Sequence, residues 1–274
     1  MIYKHLLDAN KKYGTQEIDI VRSSFCCEPD DIQEDVIIAP AWGPELFEEH
    51  TKSMNKIFEG FHKIWNLSIK DKTITFIQTG IGAPNVLEPV LALGCTPCKR
   101  IIFIGSVGAL DKNIKVGDIV IPEYSICGDG ACRYLTNKKL SENDCFGEKY
   151  YPNKDFYNTV ISKTESISKE SNVKWHIGRN YSIDTVIAQF AHIDEIIEMG
   201  CNCIEMETAV LFKAAEICKI QASAIFGVSD NTILKKSLLS GRSKEEMEYR
   251  KYVRKNYITK IVIESLTEKT KPSV

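Results

Sequence analysis

Five short runs of apolar and β-branched residues punctuate the chain: Val36-Ile-Ile-Ala39, Ile74-Thr-Phe-Ile-Gln78, Arg100-Ile-Ile-Phe-Ile-Gly105, Asp118-Ile-Val-Ile121 and Ala222-Ser-Ala-Ile-Phe-Gly-Val228. Their hydrophobicity is continuous rather than alternating, the pattern of strands covered on both faces in a parallel or mixed sheet. The stretches between them leave room for helices. Pro44 to Ile57 and Pro84 to Leu93 read as helices with proline near the start, where its missing N–H removes no bond. Met206 to Cys218 carries Val210, Leu211, Ala214 and Ile217 at helical spacing. Ser243 to Leu266 is amphipathic and charged, which predicts a helix packed over the outside of the sheet. Residues 136 to 156, rich in Asn, Lys, Asp and Tyr, read as an excursion loop. The fold class is α/β, and with no internal repeat, linker or low-complexity tract, residues 1–274 are expected to form a single domain.

Composition narrows the function classes. A chain of 274 residues buries a substantial core without crosslinks. Its formal net charge of -2, with acids and bases interspersed, gives no footprint for a nucleic-acid partner. The segment Met1 to Asn10 lacks a signal-peptide core and no apolar run is long enough to cross a bilayer, so a cytoplasmic protein without membrane contact is expected. Its ten cysteines are then expected as reduced thiols. Cys95-Thr-Pro-Cys98 and Cys201-Asn-Cys203 are close pairs, but no histidine stands at ligand spacing near either, and small buried side chains are the plainer reading.

Three glycine-marked turns follow strands: Thr79-Gly-Ile-Gly-Ala-Pro84, Gly105-Ser-Val-Gly-Ala109 and Gly227-Val-Ser-Asp230. Ligands collect at the carboxyl ends of strands in open α/β sheets, and glycine lets backbone approach them, so the three turns are expected to share a cleft. None matches a dinucleotide fingerprint or a P-loop. In Cys203-Ile-Glu-Met-Glu-Thr208 two carboxylates stand where a strand gives way to a helix, a costly place for buried charge without hydrogen-bond donors. By pattern alone Glu205 and Glu207 read equally well as acids favoured at a helix start, and Asp230 as an N-cap.

Taken in order, these blocks resemble a known family. Ile204-Glu-Met-Glu-Thr-Ala209 is similar to the V-E-M-E-A segment of the nucleoside phosphorylase and nucleosidase superfamily. Ile101 to Leu110 resembles its I-I-R-x-G-[ST]-x-G-A block, Lys115-Val-Gly-Asp-Ile-Val120 its K-x-G-D-[IV]-V, Gly80-Ile-Gly-Ala-Pro84 its G-[MI]-G-x-P turn and Gly227 to Asn231 its V-S-D segment. Gly128 to Tyr134 is similar to the E-G-[TS]-x-x-Y loop of some members. The resemblance spans roughly residues 35 to 265 and implies a three-layer αβα sandwich around a mixed, twisted sheet.

It also implies roles. Cleaving a purine N-glycosidic bond leaves a cation-like sugar and an anionic base that must be protonated. Asp230 would be the general acid, kept protonated by an apolar site, and Glu207 would accept the ribose hydroxyls. Met206 would pack on the sugar, with Glu205 close by. The segment Tyr181 to Ile187, anchored by Asp184, would place Val186 and Ile187 against the base, with Phe190 as a substitute for a missing stacking ring. Gly82 and Phe103 complete the substrate-contacting positions. The reaction needs no metal and no organic cofactor, and a homo-oligomer is implied.

The nucleophile is where the chain departs from the phosphorylase pattern. That pattern takes one arginine from the turn after the first strand and another from I-I-R; here those positions read Pro44-Glu45-Leu46 and Phe103. The departure points to water as acceptor, with Glu45 as general base, Ser106 as a hydrogen-bonding partner and Trp42 walling the site or meeting the 5' substituent. Glu45 also reads as a first-turn helix acid. The alternatives are a phosphorylase holding phosphate through other groups, such as Arg133, Arg179 or a neighbouring subunit, and a noncatalytic nucleoside-binding protein.

Overall fold

The structure is a computed structural model that describes residues 2–267; Met1 and residues 268–274 of the expected domain lie outside the described residues. Two helices, α1 (Ile2–Lys12) and α2 (Glu17–Phe25), precede β1 (Asp35–Ala39). A single-turn region then leads to β2 (Ser53–Glu59), β3 (Lys63–Ile69), β4 (Lys72–Gln78), α3 (Ala83–Leu93), β5 (Arg100–Ala109) and β6 (Ile119–Gly128). After the excursion come β7 (Lys149–Tyr150), α4 (Lys154–Ser171), β8 (Trp175–Ile183), α5 (Ile193–Glu198), β9 (Cys203–Glu205), α6 (Thr208–Cys218) and β10 (Gln221–Asn231). The chain closes with α7 (Lys244–Val253), a π-helical turn (Arg254–Ile258) and α8 (Thr259–Thr267). Among the described residues no helix is long and apolar enough to cross a membrane.

The five apolar runs all become strands. β1 pairs in parallel with β4 and β5, and β5 with β10, forming the parallel heart of a mixed ten-stranded sheet. β10 turns onto β6 antiparallel, β6 and β8 run parallel, and β9 links β8 back to β5, so β5, β10, β6, β8 and β9 close a ring. Alternate residues of the central strands enter different cores. Val36, Ile38, Ile101 and Phe103 face the helices α2, α3 and α6, whereas Ile37, Ala39, Ile102 and Ile104 face α4 and α8. This is the three-layer αβα sandwich, and it explains why those runs are continuously apolar.

One expected helix is wrong. Pro44 to Ile57 is a 3-10 stretch only over Pro44–His50; Ser53–Glu59 is a strand paired antiparallel with β3. From Glu48 to Ser53 no apolar residue continues a helical face, and pairing with β3 satisfies the backbone instead. The expected C-terminal helix over Ser243 to Leu266 is helical throughout but interrupted by the π turn. The excursion stays a loop to Asn153 apart from one short turn and β7. Beyond the expectations lie α1, α2, α4, α5, β2, β3 and β8, whereas β9 is the strand expected to give way to a helix at Cys203 to Thr208.

Candidate active site

The carboxyl ends of β1, β5, β9 and β10 meet at a cavity of about 260 Å³ lined by Pro40, Ala41, Trp42, Gly105, Ser106, Gly108, Ile204 to Glu207, Ser229 and Asp230, with Ile81, Val186, Gln189, Leu238 and Arg250 completing the wall. The three glycine turns therefore do converge. Seven of the residues singled out by sequence line it: Trp42, Ser106, Val186, Glu205, Met206, Glu207 and Asp230.

Asp230 is delivered by a bulge. β10 runs in register with β5 until Val228 opposes Val107, and the next pair is Asp230 with Gly108, so Ser229 is an extra residue. Bulges re-aim side chains. Ser229 donates to Asp230 Oδ1 at 2.5 Å, and a Cβ on Gly108 would stand 3.3 Å from Asp230 Oδ2, so glycine there lets the carboxyl approach the neighbouring strand. Burial raises the Asp230 pKa, opposed by the Ser229 hydrogen bond and by the charges of Arg242 and Arg250.

The two glutamates have different work. Glu205 accepts from the Ser182 hydroxyl and from the backbone N–H groups of Glu207 (2.8 Å) and Thr208 (2.7 Å), so it caps the start of α6 with its lone pairs occupied. Glu207 accepts from Gly82 N–H at 2.7 Å and from Met206 N–H at 3.3 Å. Gly82 sits at φ 101, open to glycine but rarely to other residues, and that conformation accompanies the amide contact with Glu207. Burial and then the adjacent Glu205 push Glu207 up to about 8. Gly82 is thus a second-layer partner of Glu207, outside the cavity lining.

Five other residues expected at the site lie off the cavity. Phe103 is fully buried against Phe226, with ring centroids 5.6 Å apart, beneath Gly105. Ile187 is 77% exposed. Glu45 is exposed on the 3-10 stretch, its carboxylate folded back over Gly43 and lying in the field of Arg254. Asp184 accepts from Gly130 N–H at 3.0 Å, and Phe190, 40% exposed, is not in the lining.

Sequence reasoning missed Arg250, Gln189 and Leu238. Arg250 Nη2 donates to Ser106 Oγ at 2.6 Å, while its Nε is buried without a hydrogen-bond partner. Burial, then the charges of Arg254 and Arg242, lower Arg250 to about 10, and Asp230 opposes them. Arg254 stacks over Trp42 at 5.2 Å, and Arg242 donates to Ser229 O at 3.2 Å and Leu238 O at 2.7 Å. Arg133 and Arg179 are both exposed and neither lines the cavity. Within an amphipathic, charged helix nothing in the pattern marks Arg250 as turned toward the cavity.

Two buried carboxylates, Asp230 and Glu207, and an arginine on a serine hydroxyl gather at the strand ends of a ring-closed α/β sheet. A family model described as the phosphorylase superfamily matches residues 36–257. A DeoD-type purine nucleoside phosphorylase of Buchnera aphidicola (subsp. Schizaphis graminum) is 31% identical over 181 residues, covering 64% of this chain and 70% of that protein. One from Streptococcus thermophilus is 24% identical over 173 residues, covering 60% and 66%. Two solved structures share the fold at 18% identity. Uridine phosphorylase from Vibrio fischeri ES114 has a TM-score of 0.71 over 88% of this chain and 95% of that one, and Campylobacter jejuni 5'-methylthioadenosine/S-adenosyl homocysteine nucleosidase 0.66 over 85% and 99%. The chain belongs to the phosphorylase superfamily and is an enzyme of the nucleoside phosphorylase and nucleosidase class.

Proposed function

We propose that the chain cleaves the N-glycosidic bond of a purine-type nucleoside by transferring the ribosyl group to phosphate. The observation that carries the choice of acceptor is the 2.6 Å contact of Arg250 with Ser106 in the cavity that Asp230 and Glu207 also line. Water was the expected acceptor because two arginines are missing at Glu45 or Leu46 and at Phe103. Arg250 supplies a cation from the C-terminal helix instead, on the serine of the G-S-V-G block. A half-buried guanidinium with its Nε buried and unpartnered, donating to one neutral hydroxyl, favours an anion with oxygens for its remaining donors.

In this reading the C1'–N bond breaks with its electron pair going to the base, which takes a proton from Asp230, and a phosphate oxygen forms the new bond to C1'. Glu207 accepts the ribose hydroxyls and stabilises the positive sugar, and Met206 packs beside it. Burial of Asp230 supports the protonated state that the step requires. With phosphate as nucleophile no general base is required at Glu45, whose charge offsets Arg254. The base would lie along Val186 and Gln189.

The test is product analysis with a nucleoside panel, with and without phosphate. Ribose 1-phosphate, formed only when phosphate is present, is expected. Free ribose formed at the same rate without phosphate would overturn the acceptor assignment and favour hydrolysis. Release of neither product from any nucleoside that binds would favour a noncatalytic binding protein. A homo-oligomer is part of the proposal as the family resemblance implies, and size-exclusion with light scattering reads it directly.

A further inference from the structure

Neither close cysteine pair in the sequence forms a cluster of donors with a carboxylate. A different set does. Cys127 near the end of β6, Asp129 in the turn after it and Cys132 in the following 3-10 turn bring two sulfurs and a carboxylate oxygen within 4.8 Å of one another, all buried. Cys145, from the far limb of the excursion, places a third sulfur 3.8 Å from Cys127 Sγ, beside the cluster and outside its 4.8 Å span. These residues lie 13 positions apart at most from one neighbour to the next in sequence and are held by backbone pairing: Cys127 N–H donates to Glu148 O and Gly147 N–H to Cys127 O.

The distances have a chemical meaning. A tetrahedral ion with metal–sulfur bonds of about 2.3 Å and metal–oxygen bonds of about 2.0 Å has sulfur–sulfur edges near 3.8 Å and sulfur–oxygen edges near 3.5 Å. Here Cys127 and Cys145 stand 3.8 Å apart, and Asp129 Oδ2 lies 3.7 Å from Cys127 Sγ and 3.4 Å from Cys132 Sγ. Asp129 is pre-oriented: Oδ1 accepts from the N–H groups of Ala131 and Cys132, both at 2.9 Å, leaving Oδ2 turned to the two thiols. Such outer bonds are what fix a metal-binding carboxylate.

We propose that Cys127, Asp129 and Cys132 form the preformed part of a structural site for a thiophilic divalent cation, zinc by its preference for tetrahedral sulfur and oxygen donors, with Cys145, beside Cys127, moving in as the fourth ligand when the ion binds. Binding releases the three thiol protons to solvent and leaves four anionic ligands around the ion. Lys213 lies alongside as the compensating charge. Its ammonium is buried and donates to Cys132 O at 3.1 Å and Tyr150 OH at 2.8 Å, both neutral. The ion would pin the excursion at its base. From there Gly130 holds Asp184, at the head of the segment that carries Val186 and Gln189 to the cavity.

Full-length protein, expressed with zinc in the medium and purified under reducing conditions, is analysed for metal. Stoichiometric zinc is expected, falling to trace in Cys132→Ser and unchanged in Cys26→Ser, an exposed cysteine outside the cluster. Because Cys132→Ser could fail to fold, metal-stripped wild type is also titrated with cobalt, which should develop the intense visible bands of a tetrahedral thiolate site. Lys213→Met, folded by circular dichroism, should weaken zinc binding on the order of tenfold. A folded wild type that takes up neither zinc nor cobalt overturns the proposal. So does zinc retained in full by Cys132→Ser, or a disulfide from Cys127 to Cys132 or Cys145 found in protein purified with reductant.

Discussion

Arg250 donates to Ser106 across 144 residues of sequence, from the C-terminal helix to the glycine-rich end of β5. That bond joins a cation to the one hydroxyl of the Gly105-Ser-Val-Gly108 turn, in the cavity shared with Asp230 and Glu207. If it receives phosphate, Arg250→Ala should lower kcat/KM for phosphate on the order of 10²- to 10³-fold, the scale of removing a preorganised charge-stabilising donor. Arg250→Lys should recover part of the rate but not the affinity, because a point charge replaces a planar fork. The measurement is initial rate against phosphate concentration; an unchanged KM for phosphate would remove Arg250 from the acceptor site.

Asp230 accepts a hydrogen bond from Ser229 and burial raises its pKa, the direction that its proposed part as general acid requires. A carboxylic acid with a raised pKa donates its proton below that value and loses the ability as pH rises through it, so the rate should fall on the alkaline side. Asp230→Asn should cost on the order of 10²- to 10⁴-fold in kcat. An N7-alkylated purine nucleoside, whose base departs without needing a proton, should be cleaved by wild type and Asp230→Asn at similar rates. Equal losses on both substrates would assign Asp230 to binding rather than proton transfer.

The parallel heart of the sheet was legible because strands covered on both faces leave an unbroken apolar run, as in Val36 to Ala39 and Arg100 to Gly105. β2 was not, since an exposed edge strand such as Ser53–Glu59 carries charge and polarity along most of its length. The site divides in the same way. Asp230, Glu205 and Glu207 stand at the ends of apolar runs, where charge is conspicuous. Arg250 stands among Glu245, Glu246, Arg242 and Lys251 on a helix that reads as solvated, and only its packing against β5 and β10 shows it facing inward. The bulge at Ser229 has no signature either, because its cause is the pairing with β5, not the residues of β10.

Asp35 and Arg100 form a buried ion pair at the opposite, amino ends of β1 and β5, with Arg100 Nε 2.6 Å from Asp35 Oδ1. Arg100 also donates to Leu266 O at 2.6 Å, which ties α8 to the sheet. Arg100→Met should destabilise the fold by about 3 kcal/mol, the lower end for breaking a buried pair, because Lys72 at 3.2 Å still reaches Asp35. Urea unfolding followed by circular dichroism reads this as a lower midpoint at unchanged slope. A loss below about 0.5 kcal/mol would mean the pair behaves as a surface contact.

Glu207 carries the clearest pH signature. Its folded value of about 8 lies above the ordinary 4.5, so the folded protein holds a proton that the unfolded chain releases between those limits. Stability from that proton is fully present below pH 4.5 and is lost as pH rises through about 8. Glu207→Gln keeps an acceptor for Gly82 N–H but cannot ionise. The stability of wild type relative to Glu207→Gln should therefore fall across this window, by up to about 1.4 kcal/mol per pH unit. Parallel denaturant titrations at several pH values measure the difference. The same ionisation should tighten nucleoside binding, since only the carboxylate accepts both ribose hydroxyls, so affinity rises with pH while stability declines. A flat stability difference would place Glu207 at its ordinary value and leave the repulsion from Glu205 with no energetic consequence.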